Sequence, residues 1–118
     1  MSKGVLKKKS FHFAVRIVNL YKYLTISQKE YVLSKQILRS GTSVGANVRE
    51  AEFAQSNLDF IHKLSISQKE INETLYWLEL LKETDFIKNE EFESLNFDAT
   101  ELLKIITSSI KTMKSKIK

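Results

Sequence analysis

The sequence predicts an all-α protein, a single up-down-up-down four-helix bundle spanning residues 1–118, and three observations carry that prediction. Proline is absent from the 118 residues and glycine occurs only at Gly4, Gly41 and Gly45. Long stretches rich in Leu, Ile, Lys and Glu therefore run without a helix breaker and with little that favours strands. Apolar residues recur at spacings of three and four in four segments joined by short polar connections, which makes antiparallel neighbours of consecutive helices.

The first helix is expected over about residues 10–24. Phe11, Ala14, Val18 and Tyr21 form one stripe, and Phe13, Ile17, Leu20 and Leu24 form the stripe beside it. Ser27 followed by Glu30 has the spacing of a capping box, in which hydroxyl and carboxylate satisfy each other's free backbone N–H groups. A second helix is expected from there, over about residues 28–54. Ser56 with Asp59 repeats the signature and opens a third, over about 57–84, whose core stripe is Ile61, Leu64, Ile71, Leu75, Leu78 and Leu81. Asn89, followed by two glutamates that the helix dipole favours, starts a fourth over about 90–117. Its stripe runs from Phe92 through Leu95, Ala99, Leu102, Ile106, Ile110 and Met113 to Ile117. The pentapeptide Ile-Ser-Gln-Lys-Glu occurs at residues 26–30 and 66–70. One copy should cap a helix while the other lies inside one, so the repeat has no architectural meaning.

Composition removes several chemistries. Without cysteine there is no disulfide framework, thiolate metal site or cysteine nucleophile. No apolar run approaches the length of about 18 residues that a membrane span needs, and Met1 to Ser10 is polar and basic, so the expectation is a soluble cytoplasmic chain with no membrane partner. Gly41 and Gly45 lie one turn apart in the small-residue segment Arg39-Ser-Gly-Thr-Ser-Val-Gly-Ala-Asn-Val-Arg-Glu50. Each costs about 1 kcal/mol in a helix relative to alanine, and close approach of another helix would compensate. A phosphate-binding loop does not fit, because Gly45 is followed by Ala46 and Asn47 where Lys and Ser or Thr are required.

Carboxylates pose the next question. Glu70, Glu73 and Trp77 share one side of the third helix, and the second helix offers Arg39, Ser40, Ser43, Asn47 and Glu50 as partners. These eight residues are expected to form a structural polar layer between the two helices, fully hydrogen-bonded because an unpaired buried carboxylate is costly. A di-metal carboxylate bundle would need two Glu-x-x-His pairs, and only Asp59 with His62 has even a related spacing, His12 being preceded by Lys9 at that place. No Gly-x-Ser-x-Gly elbow is present, and Ser108 with Lys111 stands without the other motifs of a serine-lysine enzyme. The expectation is a protein without catalytic residues, cofactor, metal or small-molecule substrate.

Charge is unevenly placed. The formal net charge is +5, from 19 basic and 14 acidic residues. Eight lysines, Lys3, Lys7, Lys8, Lys9, Lys111, Lys114, Lys116 and Lys118, lie in the two terminal segments, so everything between them sums to −3. An even number of antiparallel helices brings these segments to one end, where they would make a positive field suited to the phosphates of RNA or DNA. Lysines without interleaved aromatics imply backbone contact, not base readout. Apolar residues are also in surplus: beyond one core stripe per helix there are the stripe through Phe13 and Ile17 and, on the third helix, Phe60, Ile66, Tyr76, Trp77 and Leu80. Such wide arcs imply burial against further copies of the chain.

The segments Leu38-Arg-Ser-Gly-Thr-Ser-Val-Gly-Ala-Asn-Val-Arg-Glu-Ala51 and Lys69-Glu-Ile-Asn-Glu-Thr-Leu-Tyr-Trp-Leu-Glu-Leu-Leu81, with the lysine-ended fourth helix, closely resemble the bacterial four-helix-bundle proteins known as 23S rRNA intervening-sequence proteins. The resemblance covers nearly the whole chain. It implies a left-handed bundle assembling as a closed homo-oligomeric ring, most plainly a homopentamer, without enzymatic activity. It also implies nucleic-acid binding through a basic surface, as in the related accessory proteins of diversity-generating retroelements. The family's motif positions fall here on Arg39, Ser40, Ser43, Asn47, Glu50, Glu70, Glu73 and Trp77. The sequence therefore points to an oligomeric bundle that binds RNA or DNA backbone through its terminal lysines, with a protein-interaction scaffold as the alternative.

Overall fold

The computed structural model describes residues 3–117. Four helices account for nearly all of them: α1 Lys3–Ile26, α2 Leu33–Glu52, α3 Asn57–Glu83 and α4 Asn89–Lys116. No strand occurs among the described residues, and the molecule measures 49 × 21 × 20 Å. The long dimension is that of its helices, since 27 residues at 1.5 Å each make about 40 Å.

Two helix starts differ from the sequence expectation. α1 begins at Lys3 and not near Ser10, because Leu6 and Ser10 are buried and continue the stripe of Phe13, Ile17, Leu20 and Leu24 at unbroken spacings of four and three. The Phe13 and Ile17 stripe expected as surplus is thus the core face of α1. It is Phe11, Val15 and Val18 that remain exposed. α2 begins at Leu33, and Ser27 does not cap it. Instead Ser27 and Gln28 donate their amides to the Tyr23 carbonyl, closing α1, and Lys29 turns the chain through the left-handed region at φ 56°.

Glu30 is the cap. Its carboxylate accepts the backbone N–H groups of Val32, Leu33 and Ser34 at 3.1, 2.9 and 2.7 Å, and the Ser34 hydroxyl donates to the Glu30 carbonyl at 2.9 Å. These are the donors a helix start leaves unsatisfied, and a negative charge there also meets the positive end of the helix dipole. Burial pushes the Glu30 carboxyl up, but the three backbone donors outweigh it and hold the group below its ordinary value of 4.5. Glu30→Ala is expected to cost about 1–2 kcal/mol in urea unfolding at neutral pH. Since the folded value is the lower one, this stabilisation is present above pH 4.5 and fades as pH falls through the folded value; the wild-type and variant unfolding curves should converge in acid.

At the start of α3 the Ser56 hydroxyl accepts the Asp59 amide at 3.1 Å, and the Asp59 carboxylate accepts the Gln55 amide at 3.2 Å, a reciprocal cap. Asn89 is the first residue of α4 and not its cap; its side-chain amide donates to Glu93 one turn on, while extended Lys88 precedes it.

Neighbouring helices run antiparallel, as the paired residues show. Lys7 meets Glu52 across α1 and α2, Ser67 and Thr74 meet Val44 and Ser40 across α2 and α3, and Arg16 and Lys9 meet Asp98 and Glu101 across α1 and α4. α1 and α4 share the least extensive of the four seams, and it is polar: Arg16 donates to Asp98 at 2.8 Å and to the Ser94 hydroxyl at 2.9 Å. The α1–α2 seam is the opposite. A Cβ at Gly45 would lie 3.2 Å from the Ser10 carbonyl oxygen, and one at Gly41 only 2.8 and 2.9 Å from Ile17 Cγ1 and Cγ2. The expected helix contact is therefore with α1, made by backbone at Gly45 and by a side chain at Gly41.

Candidate nucleic-acid interface

The second and third helices meet through polar groups that run from the half-exposed Arg39 side chain to hydroxyls buried against the apolar core. Arg39 Nη1 donates to Glu70 Oε2 at 3.0 Å, its Nη2 to Glu73 Oε2, and the Trp77 indole N–H to that same Glu73 oxygen at 2.9 Å. One turn inward, Thr74 Oγ1 donates to the Glu70 carbonyl at 2.8 Å and lies 2.9 Å from Ser40 Oγ, both hydroxyls being fully buried. Ser67, which sequence reasoning did not single out, donates to the Val44 carbonyl at 2.7 Å. Among the described residues no buried side-chain polar atom lacks a partner.

Arg39, Ser40, Glu70, Glu73 and Trp77 are thus brought together, whereas the other three polar-layer candidates go elsewhere. Ser43 donates to the Arg39 carbonyl, Asn47 to the Ser43 carbonyl, and exposed Glu50 pairs with Lys63 at 3.0 Å. The Trp77 indole and, beyond the opposing effect of burial, the Arg39 guanidinium hold the Glu73 carboxyl below its ordinary value of 4.5. Trp77→Phe keeps an aromatic ring at the edge of the core and deletes that donor. It is expected to cost about 1 kcal/mol at pH 7. Its acid unfolding midpoint should move to higher pH, because Glu73 then takes up its proton sooner.

This layer is engaged with itself and offers nothing to a ligand. His12 and His62 are both exposed, and no group of three or more His, Asp or Glu side chains suited to a metal ion occurs among the described residues.

Charge at the end of the bundle is a different matter. Leu6 of α1, Glu52 of α2, Phe60 and Leu64 of α3, and Thr112 and Met113 of α4 surround one cavity of about 210 Å³, so all four helices reach this end and both basic segments meet there. Lys7 is bound to Glu52 at 3.8 Å and Lys9 to Glu101 at 3.1 Å, which consumes part of their charge. Lys8, Lys111, Lys114 and Lys116 are exposed and make no ion pair among the described residues. The Lys3 side chain and Lys118 lie outside the described residues. The opposite end, where the α1–α2 and α3–α4 connections meet, sets Glu83 and Asp85 beside Lys82 and Lys88.

The family model for the 23S rRNA-intervening sequence protein matches residues 3–108, from the first residue of α1 to the last turns of α4. The chain belongs to the 23S rRNA-intervening sequence protein family. A solved structure similar to this intervening-sequence protein comes from Bacteroides thetaiotaomicron and is described as a protein of unknown function from the S23 ribosomal protein family. The two superpose with a TM-score of 0.93 at 63% identity, covering 94% of this chain and 99% of the other. No curated protein matches. No helix among the described residues of this family member is long and apolar enough to cross a membrane.

Proposed function

We propose that this intervening-sequence protein is a non-enzymatic, cytoplasmic, homo-oligomeric bundle that holds RNA or DNA by its phosphate backbone, using the lysines at the end where the termini meet. The observation that supports this reading best is the separation of charge along the chain: Lys8, Lys111, Lys114 and Lys116 are exposed and make no ion pair among the described residues, in a chain whose remaining body is acidic. Such a field attracts polyanions irrespective of sequence.

Assembly into a ring, with five copies as the expected form, multiplies a weak patch into an avid one. Two features support a head-to-tail contact of that kind. α1 exposes Phe11, Val15 and Val18, with Arg49 stacked 5.2 Å from the Phe11 ring. α4 opens with Glu90, Glu91 and Glu93, reaches no basic residue before Lys104, and exposes Phe97.

Fluorescence titration with a structured RNA at two salt concentrations tests the reading, alongside sedimentation to determine the number of copies. Binding should weaken steeply with salt, each engaged phosphate adding about 0.7–0.9 to the logarithmic slope. Absence of binding at low salt overturns nucleic-acid recognition, and a monomer overturns the ring. The competing scaffold reading draws on Ile26, Tyr31 and Val32, all exposed at the opposite end. It would be favoured by protein partners retained after nuclease treatment together with no affinity for RNA.

A further inference from the structure

Phe53 stands at the basic end with its side chain in solvent. The residue is 84% exposed, more than any other large apolar residue described, and Leu58 at the start of α3 is 69% exposed. Its position is not loose. The Phe53 amide donates to the Glu50 carbonyl at 3.1 Å, the Ala54 amide to the Ala51 carbonyl at 3.1 Å, and the reciprocal Ser56–Asp59 cap closes the connection on its other side. Its neighbour Glu52 is the partner of Lys7 and lines the cavity that Leu6 and Met113 also line, which places residue 53 at the end of the bundle that carries the terminal lysines. The ring makes no aromatic pair and takes no cation–π contact among the described residues.

We propose that Phe53 is a stacking platform for an unpaired base and that the basic end therefore selects single-stranded over duplex nucleic acid; this rests on the backbone-binding reading above. Lysines provide attraction that is blind to strandedness, whereas a solvent-facing ring on a pinned backbone adds a contact that only an unstacked base can accept. A duplex keeps its bases in the stack and offers the ring no face. An anionic membrane is the other polyanionic surface that this end could meet, and the flanking carboxylates disfavour it: burying Phe53 and Leu58 among acyl chains would carry Glu52 and Asp59 down with them. Stacking of one base makes no such demand. The opposite end also exposes apolar side chains, Ile26, Tyr31 and Val32, but there Glu83 and Asp85 offset Lys82 and Lys88, so it lacks the net positive field of the terminal lysines.

The test is fluorescence anisotropy of the full chain with labelled oligouridine and with the same strand annealed to oligoadenine. Wild type should bind the single strand more tightly. Phe53→Ala should weaken single-strand binding about tenfold or more and leave duplex binding unchanged, and Phe53→Trp should restore it. An unchanged melting temperature is expected in both variants, since the ring lies almost wholly in solvent. Equal affinities for both forms, or a Phe53→Ala variant that binds the single strand as wild type does, overturn the stacking platform while leaving the lysine reading intact. Failure of wild type to bind either form at low salt overturns both readings together. Phe53-dependent sedimentation with phosphatidylserine vesicles, without single-strand preference, assigns the end to a membrane and overturns the proposal.

Discussion

Gly41→Val is expected to destabilise the protein by about 2–3 kcal/mol in urea or thermal unfolding, although valine is the better helix former. The reason is distance. Any Cβ at position 41 falls 2.8 Å from Ile17 Cγ1 and 2.9 Å from Ile17 Cγ2, and Ile17 is completely buried, with no free end to swing aside. Helix propensity returns less than about 1 kcal/mol, so the clash decides the sign. Ile17→Ala alone should cost about 2–5 kcal/mol through the cavity it leaves. Gly41→Val with Ile17→Ala should then cost less than the sum of the two, since one change fills what the other empties. A Gly41→Val protein as stable as wild type would mean that α1 and α2 do not approach as closely as described.

Arg39→Ala is the second large effect, at about 2–3 kcal/mol. Its guanidinium is the only side-chain hydrogen-bond donor to the nearly buried Glu70 carboxylate among the described residues and also binds Glu73, so its loss leaves two carboxylates together. Breaking a fully buried pair costs about 3–5 kcal/mol, but the Arg39 side chain is half-exposed and water screens part of the loss. Arg39→Lys should recover only part of it, because one ammonium cannot reproduce a planar fork that reaches both acids. The pairing of Arg39 with Glu70 is measured by the Arg39→Ala/Glu70→Ala cycle. A coupling near zero would show that the Arg39–Glu70 pair contributes no net stability.

How much of this could be read beforehand depended on whether a feature repeats along the chain. Periodicity located four helices and the core faces of α3 and α4, and the small residues at 41 and 45 announced a close contact. What it missed were single residues with local or tertiary tasks. The start of α1 was legible in Leu6, four residues before Ser10 on the same stripe, but the surrounding lysines disguised it. Glu30 matched a capping-box spacing with Ser27, yet it caps alone, because Ser27 is occupied in closing α1. Ser67 and Thr74 look like ordinary helix-surface hydroxyls until a neighbouring carbonyl and Ser40 are placed against them. Ser43 and Asn47 share helical spacing with Arg39 but bond to carbonyls of their own helix, and Glu50 reaches α3 only at Lys63, away from the layer, since helical spacing ranks candidates without fixing how far around the helix the neighbour reaches. Phe53 ends a helix and belongs to no stripe, so no pattern could mark it.

The proposed attraction for RNA depends on where the lysines sit and not on net charge, and one pair of variants separates the two. Lys8, Lys111 and Lys114 changed together to glutamine remove three charges from the end where the termini meet; Lys22, Lys35 and Lys88 changed together remove three from elsewhere on the molecule. RNA affinity measured across a salt series should fall for the first variant, with a logarithmic slope shallower by about 2, and should stay near the wild-type value for the second. Equal losses from the two variants would contradict the account, because they would make the attraction a property of overall charge and leave the terminal lysines without a special role.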